Sequence, residues 1–205
     1  KLINAGHMAV GSGSTLALSS DSMRSGSASF SGRVVLSGGT HSFADGFSAS
    51  GLTEVGGGTV DVSSGNTRFG NMNIATQIQG NGNLIVANAS ITGGTMTGSG
   101  STILASGGSH TLSGAYQYLR SGRTLRNDGQ LVVGATTNDV KLYMDGSNGG
   151  IAKTRLVNQG EMVFQGSKNT YIYQNNGNPD AELENNGKLI KRDSGYAAVS
   201  TRVAN

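Results

Sequence analysis

The chain has 205 residues, among them 34 Gly and one Pro, with no Cys and no Trp; 13% are charged and 35% hydrophobic. The lack of Cys removes disulfides, thiolate metal sites and thiol catalysis, and no apolar run approaches the roughly 18 residues of a membrane span. The formal charge of +3 comes from interspersed signs, the pattern of a solvated face rather than of a nucleic-acid groove.

Along the chain, apolar pairs alternate with polar residues at period two: Leu16/Leu18, Val60/Val62, Met72/Ile74 and Leu84/Val86. That is the mark of half-buried strands. The pairs recur about every 8 to 12 residues between Gly, Ser, Thr and Asn clusters, the spacing of short strands and turns. No stretch has a helical period, so almost no helix is expected.

A ten-residue phrase opens the chain as Lys1-Leu-Ile-Asn-Ala-Gly-His-Met-Ala-Val10. It returns degenerately as Gln77-Ile-Gln-Gly-Asn-Gly-Asn-Leu-Ile-Val86, with Gly80 in place of the Asn. Fuller copies begin at Thr124, Arg155 and Glu182, and Arg202-Val-Ala-Asn205 reads as the start of another. Such repetition predicts a solenoid whose units bury their apolar faces against each other. The fold expected is an all-β, single-stranded parallel β-helix, one continuous solenoid over 1–205. It divides by texture into Gly/Ser/Thr-rich coils with small inward residues (1–115) and more aromatic, charged coils (116–205).

With Asn4, Gly80, Asn127, Asn158, Asn185 and Asn205 as register marks, the gaps are 76, 47, 31, 27 and 20 residues. Read as three, two and three single coils, they predict about eight coils and a rod of about 40 Å. Asn4, Gly6, Gly82, Asn127, Gly129, Asn158, Gly160, Asn185 and Gly187 are assigned to the turns, where Asn and Gly tolerate φ > 0. Asn127, Asn158 and Asn185 are expected to stack as an amide ladder. Both chain ends fall inside copies of the phrase, which predicts a piece of a longer protein and open edges prone to end-to-end self-association.

The stretch from Gly94 to Gly114, the phrase Gly122-Arg-Thr-Leu-Arg-Asn-Asp-Gly-Gln-Leu-Val-Val133 and the run Leu183 to Gly195 resemble the β-helical repeats of very large bacterial exoproteins, of the filamentous-haemagglutinin-like adhesin and autotransporter passenger type. The resemblance implies a secreted or cell-surface location and a structural or adhesive role. It brings no catalytic motif.

Candidate sites follow from side-chain chemistry. Tyr116-Gln-Tyr118 and Tyr171-Ile-Tyr173 each place two rings on one side of a strand. With Ile172 buried, Tyr171 and Tyr173 face outward beside Gln174, Asn175 and Asn176, a surface suited to stacking on a glycan; mutual stacking between rungs is the structural alternative. Asp180, Glu182 and Glu184 share one strand face, as the acid/base groups of a polysaccharide-degrading enzyme would, or as a charge ladder answered by Lys188, Lys191 and Arg192. His7, His41 and His110 lack metal-ligand spacing. Asp145-Gly-Ser-Asn-Gly-Gly150 has one carboxylate and reads as a turn rather than a calcium loop. Thr95-Met-Thr97 is a solitary ice-binding pattern, and Asn88-Ala-Ser90 is a formal glycosylation sequon. The expectation is therefore a non-enzymatic adhesive spacer that needs no cofactor or metal, binds no nucleic acid and does not insert into a membrane; its partner is a surface glycan or a host or neighbouring-cell receptor. An enzyme and a self-assembling filament subunit are the alternatives.

Overall fold

The computed structural model describes residues 2–25, 28–145, 153–175 and 180–205. Among these, every regular element is a β-strand and every pairing is parallel. The chain is a parallel β-helix with three faces. In the fifth turn, Gln77–Gln79 lies on the first face, and the single strand Asn83–Ile91 then supplies the second and third. Later turns split that strand in two, as in Thr124–Asn127 and Gln130–Val133.

The first face is a ladder of ten strands from Leu2–Asn4 to Ala197–Ser200. Among the described residues the solenoid thus has ten rungs, not about eight, and at roughly 4.8 Å per rung it runs about 45 Å. The 76-residue gap holds four coils, because Asn4 aligns with Arg24, Arg24 with Phe43 and Phe43 with Val62, whose carbonyl lies beneath Gly80. The phrase also occupies two different corners. Its first two copies join the first face to the second, whereas those at Thr124, Arg155 and Glu182 join the second to the third. Any corner between two half-buried strands accepts the same small polar turn, so the phrase does not encode which corner it serves. Coils lengthen where the texture changes. Val60, Ile78 and Met96 align at 18-residue intervals, while Met144 and Gln174 align 30 apart.

The core follows the alternation. Leu84, Val86, Leu104, Leu125, Leu131, Ile172 and Leu183 are fully buried. At about 25 cal/mol per Å² of apolar surface, each such side chain contributes roughly 1.5–3 kcal/mol. The inward residues of 1–115 are not all small: Phe30, Phe43, Phe47 and Phe69 are buried there. Phe43 packs on Phe47 and Phe69 at ring-centroid distances of 4.7 and 5.2 Å.

No helix among the described residues is long and apolar enough to cross a membrane.

Candidate functional site

All six tyrosines lie together on the outside of the first face. Strand alternation puts them there: Gln117, Leu142 and Ile172 point inward and are buried, so their neighbours point out. Tyr118, Tyr143 and Tyr173 stand in direct register on successive rungs. Tyr118 and Tyr143 stack at 5.3 Å, Tyr143 and Tyr173 at 5.5 Å, and Tyr171 and Tyr173 at 5.2 Å with planes 9° apart. Tyr116 stacks on Tyr143 at 6.4 Å, and Tyr196 tilts against Tyr171 at 6.1 Å. These are ordinary aromatic-pair separations. Rings in the middle of the array spend much of their faces on each other. Tyr116 and Tyr196, 54% and 62% exposed, keep the most free surface. Burial pushes the Tyr173 phenol up, an effect that Lys141 partly opposes.

Two cations join the rings. The Arg120 guanidinium lies 4.3 Å from the Tyr118 centroid and pairs with Asp145 at 2.6 Å. The Lys141 ammonium lies 5.3 Å from the Tyr116 centroid. Beyond the array, Tyr196 borders a depression of about 570 Å³ with Phe164, Leu189 and Val199, where the inward side of the last coil is open.

The structure thus brings Tyr116, Tyr118, Tyr171 and Tyr173 onto one surface and adds Tyr143 and Tyr196. Tyr143 was legible: Lys141-Leu-Tyr-Met144 has the same alternation as the two tyrosine pairs. Gln174 does not join them, because it aligns with buried Met144 on the inward side of its strand. Asn175 follows the strand and donates its backbone N–H to Met144 O at 3.0 Å. Asn176 lies outside the described residues.

The turn residues act differently from the expectation. None of the assigned Asn or Gly residues has positive φ. Close approach instead requires four of the five assigned glycines, Gly6 being the exception: a Cβ on Gly160 would lie 2.1 Å from Gly129 O, and one on Gly187 2.1 Å from Gly160 O. Gly129 meets Ala105 O and Gly82 meets Ser64 in the same way. Asn4 makes an exposed turn of its own, its Oδ1 accepting from Gly6 N at 2.8 Å. Asn127, Asn158 and Asn185 form a ladder within the solenoid. Asn127 Nδ2 donates to Asn158 Oδ1 at 2.8 Å and Asn158 Nδ2 to Asn185 Oδ1 at 2.7 Å. The second N–H of each donor reaches a backbone carbonyl, of Glu161 and of Lys188.

The acidic strand is answered by other cations than those expected. Glu182 is 8% exposed and lies 3.7 Å from both Lys153 and Arg202. Asn186 donates to Glu184 at 2.7 Å. Lys188 aligns with Glu161, Lys191 caps the carbonyls of Arg192 and Asp193, and Arg192 approaches Glu161 at 4.0 Å. Parallel stacking sets these partners: Arg155, Glu182 and Arg202 occupy one position on successive coils, whereas Lys188 to Arg192 belong to the next face.

His41 and His110 are buried and serve the fold. His110 Nε2 donates to Ala105 O and its Nδ1 accepts the Ala89 N–H, both at 3.1 Å. His41 Nε2 donates to Gly38 O at 2.8 Å, so its Nδ1 accepts the Ser22 hydroxyl at 2.8 Å. Ser22 is 2% exposed, which leaves this serine–histidine pair no access to substrate. Burial is the largest influence on both rings and holds their pKa values below the usual histidine value.

Composition gave no sign of Arg123, which is fully buried. Its Nε donates to Thr102 Oγ1 at 3.1 Å, and its terminal nitrogens to the carbonyls of Gly80 (3.0 Å), Thr97 (3.3 Å) and Ser101 (3.2 Å). It ties three coils together at one corner. Burial lowers its pKa to about 10.

No group of three or more His, Cys, Asp or Glu among the described residues is placed to hold a metal. Asp145 pairs with Arg120, and residues 146–150 lie outside the described residues. Thr95 is in register with Gln77 and Tyr118, not with threonines. Asn88 bonds Asn71 at 3.1 Å. No protein-family model, curated protein or solved structure matches this chain.

Proposed function

We propose that this solenoid is a stiff structural and adhesive segment of a large secreted or cell-surface bacterial protein, and that its tyrosine face is a lateral site for a surface glycan. The observation that carries the reading is the gathering of six tyrosines, from three successive coils and the approach to the next, on one outer face. Phenol rings combine an apolar body with a polar tip, the combination that suits a sugar's C–H face and its hydroxyls. Backbone ladders hold the rings at fixed spacing, so little ordering is left to be done on binding. The carboxylates offer less to an enzyme, since Glu182 is held between two cations and Glu184 by an amide.

The test is a glycan and polysaccharide array with the purified chain, with each well assayed for released oligosaccharide. Binding without product is expected, and Tyr171→Ala with Tyr173→Ala should weaken it about tenfold or more. Binding that ignores those substitutions removes the tyrosine face from the reading. Released product replaces adhesion with catalysis.

A further inference from the structure

We propose that the tyrosine face selects an acidic glycan, with the Lys141 ammonium receiving a sugar carboxylate at the centre of the array. The inference rests on the glycan reading above and goes on to name the ligand class. Strand alternation and register put Lys141 among the rings. It lies opposite Tyr171 on the next rung, two residues from Tyr143 on its own strand, and 5.3 Å from the ring of Tyr116 on the rung before. Among the described residues no carboxylate lies within salt-bridge distance of it.

Arg120, the other cation among the rings, already has a partner in Asp145, and Asp139 keeps its negative charge and acts on Tyr173. Asp139, two residues before Lys141, accepts the Asn169 backbone N–H at 3.0 Å. Lys141 is therefore the cation left to answer an anion from solution. The Tyr116 ring covers one side of the half-buried Lys141, which strengthens a charge-assisted hydrogen bond relative to one on an open surface. A neutral glycan would leave that ammonium partly desolvated without a partner, so the site discriminates as well as binds.

The probes are a galacturonate oligomer, a mannuronate oligomer, hyaluronan, and the fully methyl-esterified galacturonate oligomer, which keeps the sugar backbone and removes the charge. At least one carboxylated probe should bind, with affinity falling as salt rises. If that probe is galacturonate, its ester should bind about tenfold or more weakly, as expected for losing a hydrogen bond to a charged group. Lys141→Gln should lose the same factor on the acidic probe, and Lys141→Arg should restore most of it. Equal binding of acid and ester, or indifference to Lys141→Gln, overturns the acidic class and leaves the glycan face standing. Failure of all three carboxylated probes, with neutral glycans bound in the array, overturns it equally. Failure of every glycan sinks the underlying reading instead.

Discussion

Asn127 donates through Nδ2 to Asn158 Oδ1, 2.8 Å away on the next coil. The two amides occupy the inward position that Phe69, Val86 and Leu104 fill on earlier coils. An apolar column thus gives way to a hydrogen-bonded one without a change of register. Such a replacement holds only if the buried amides are satisfied, because an unpaired polar group costs about 1–3 kcal/mol.

The ends and the middle of this ladder should respond differently to substitution. Asn158 accepts from Asn127 and donates to both Asn185 and Lys188 O. Asn158→Leu should cost about 2–4 kcal/mol, since it strands groups on both sides. Asn127→Leu extends the apolar column by one rung and removes an amide whose Oδ1 has no partner. It should cost less than half as much. Urea unfolding of the two variants compares them directly, and equal losses would contradict a directional ladder.

The glycines of the corner make a second comparison. Gly160→Ala puts a methyl 2.1 Å from Gly129 O and must prise two coils apart, at a cost of at least about 2 kcal/mol. Gly56→Ala meets no atom within 4 Å and needs no unusual φ. It should be neutral or stabilise by up to about 1 kcal/mol through the unfolded chain. Thermal melts of both variants check the pair.

The same corner shows what sequence alone carries here. Alternation in Val60/Val62 and Leu84/Val86 was enough for strands, and parallel stacking followed from repetition. The coil count was not legible, because Asn4 and Asn127 head identical phrases on different corners. Nor was the role of the glycines: Asn-x-Gly marks a turn, but only stacking reveals that the neighbouring coil's carbonyl, and not φ, excludes a side chain. The tyrosine pairs were visible as pairs. Their union with Tyr143 and Tyr196 depends on a 30-residue coil whose length no local pattern encodes. The partners of Glu182 were hidden for the same reason, since they lie on adjacent coils rather than on the next strand.

Acid sensitivity should trace to the two buried histidines. Both have folded pKa values below the usual 6.5, chiefly from desolvation. As pH falls through the unfolded value, the unfolded chain takes up protons that the folded chain does not yet bind. Stability is therefore full above about pH 6.5 and declines as pH falls toward the lowered folded values. His41→Gln with His110→Gln should flatten that decline between pH 7 and 5, though it lowers stability at pH 7 by removing internal hydrogen bonds. Chemical denaturation across that pH range reads the slope; an unchanged slope would place the acid sensitivity elsewhere.

Arg123 carries the strongest stability prediction. Its guanidinium satisfies the carbonyls of Gly80, Thr97 and Ser101 and the hydroxyl of Thr102 from the interior of the solenoid. Arg123→Ala leaves all four without that donor and opens a cavity, for a loss on the order of 3–5 kcal/mol. Arg123→Lys keeps the charge but not the planar fork, so one ammonium cannot reach all the acceptors, which lie on two different coils. It should recover less than half of the loss. Arg123→Met tests whether the cation itself is needed: it fills much of the volume, removes the desolvated charge and still strands the carbonyls. If the hydrogen bonds dominate, the methionine variant falls near the alanine one. If desolvation dominates, as the lowered pKa of about 10 indicates for the charged form, it lies close to wild type. The geometry favours the first outcome, because the fork donates to three backbone carbonyls from two coils and a thioether donates to none, and the urea midpoints of the three variants rank the two effects.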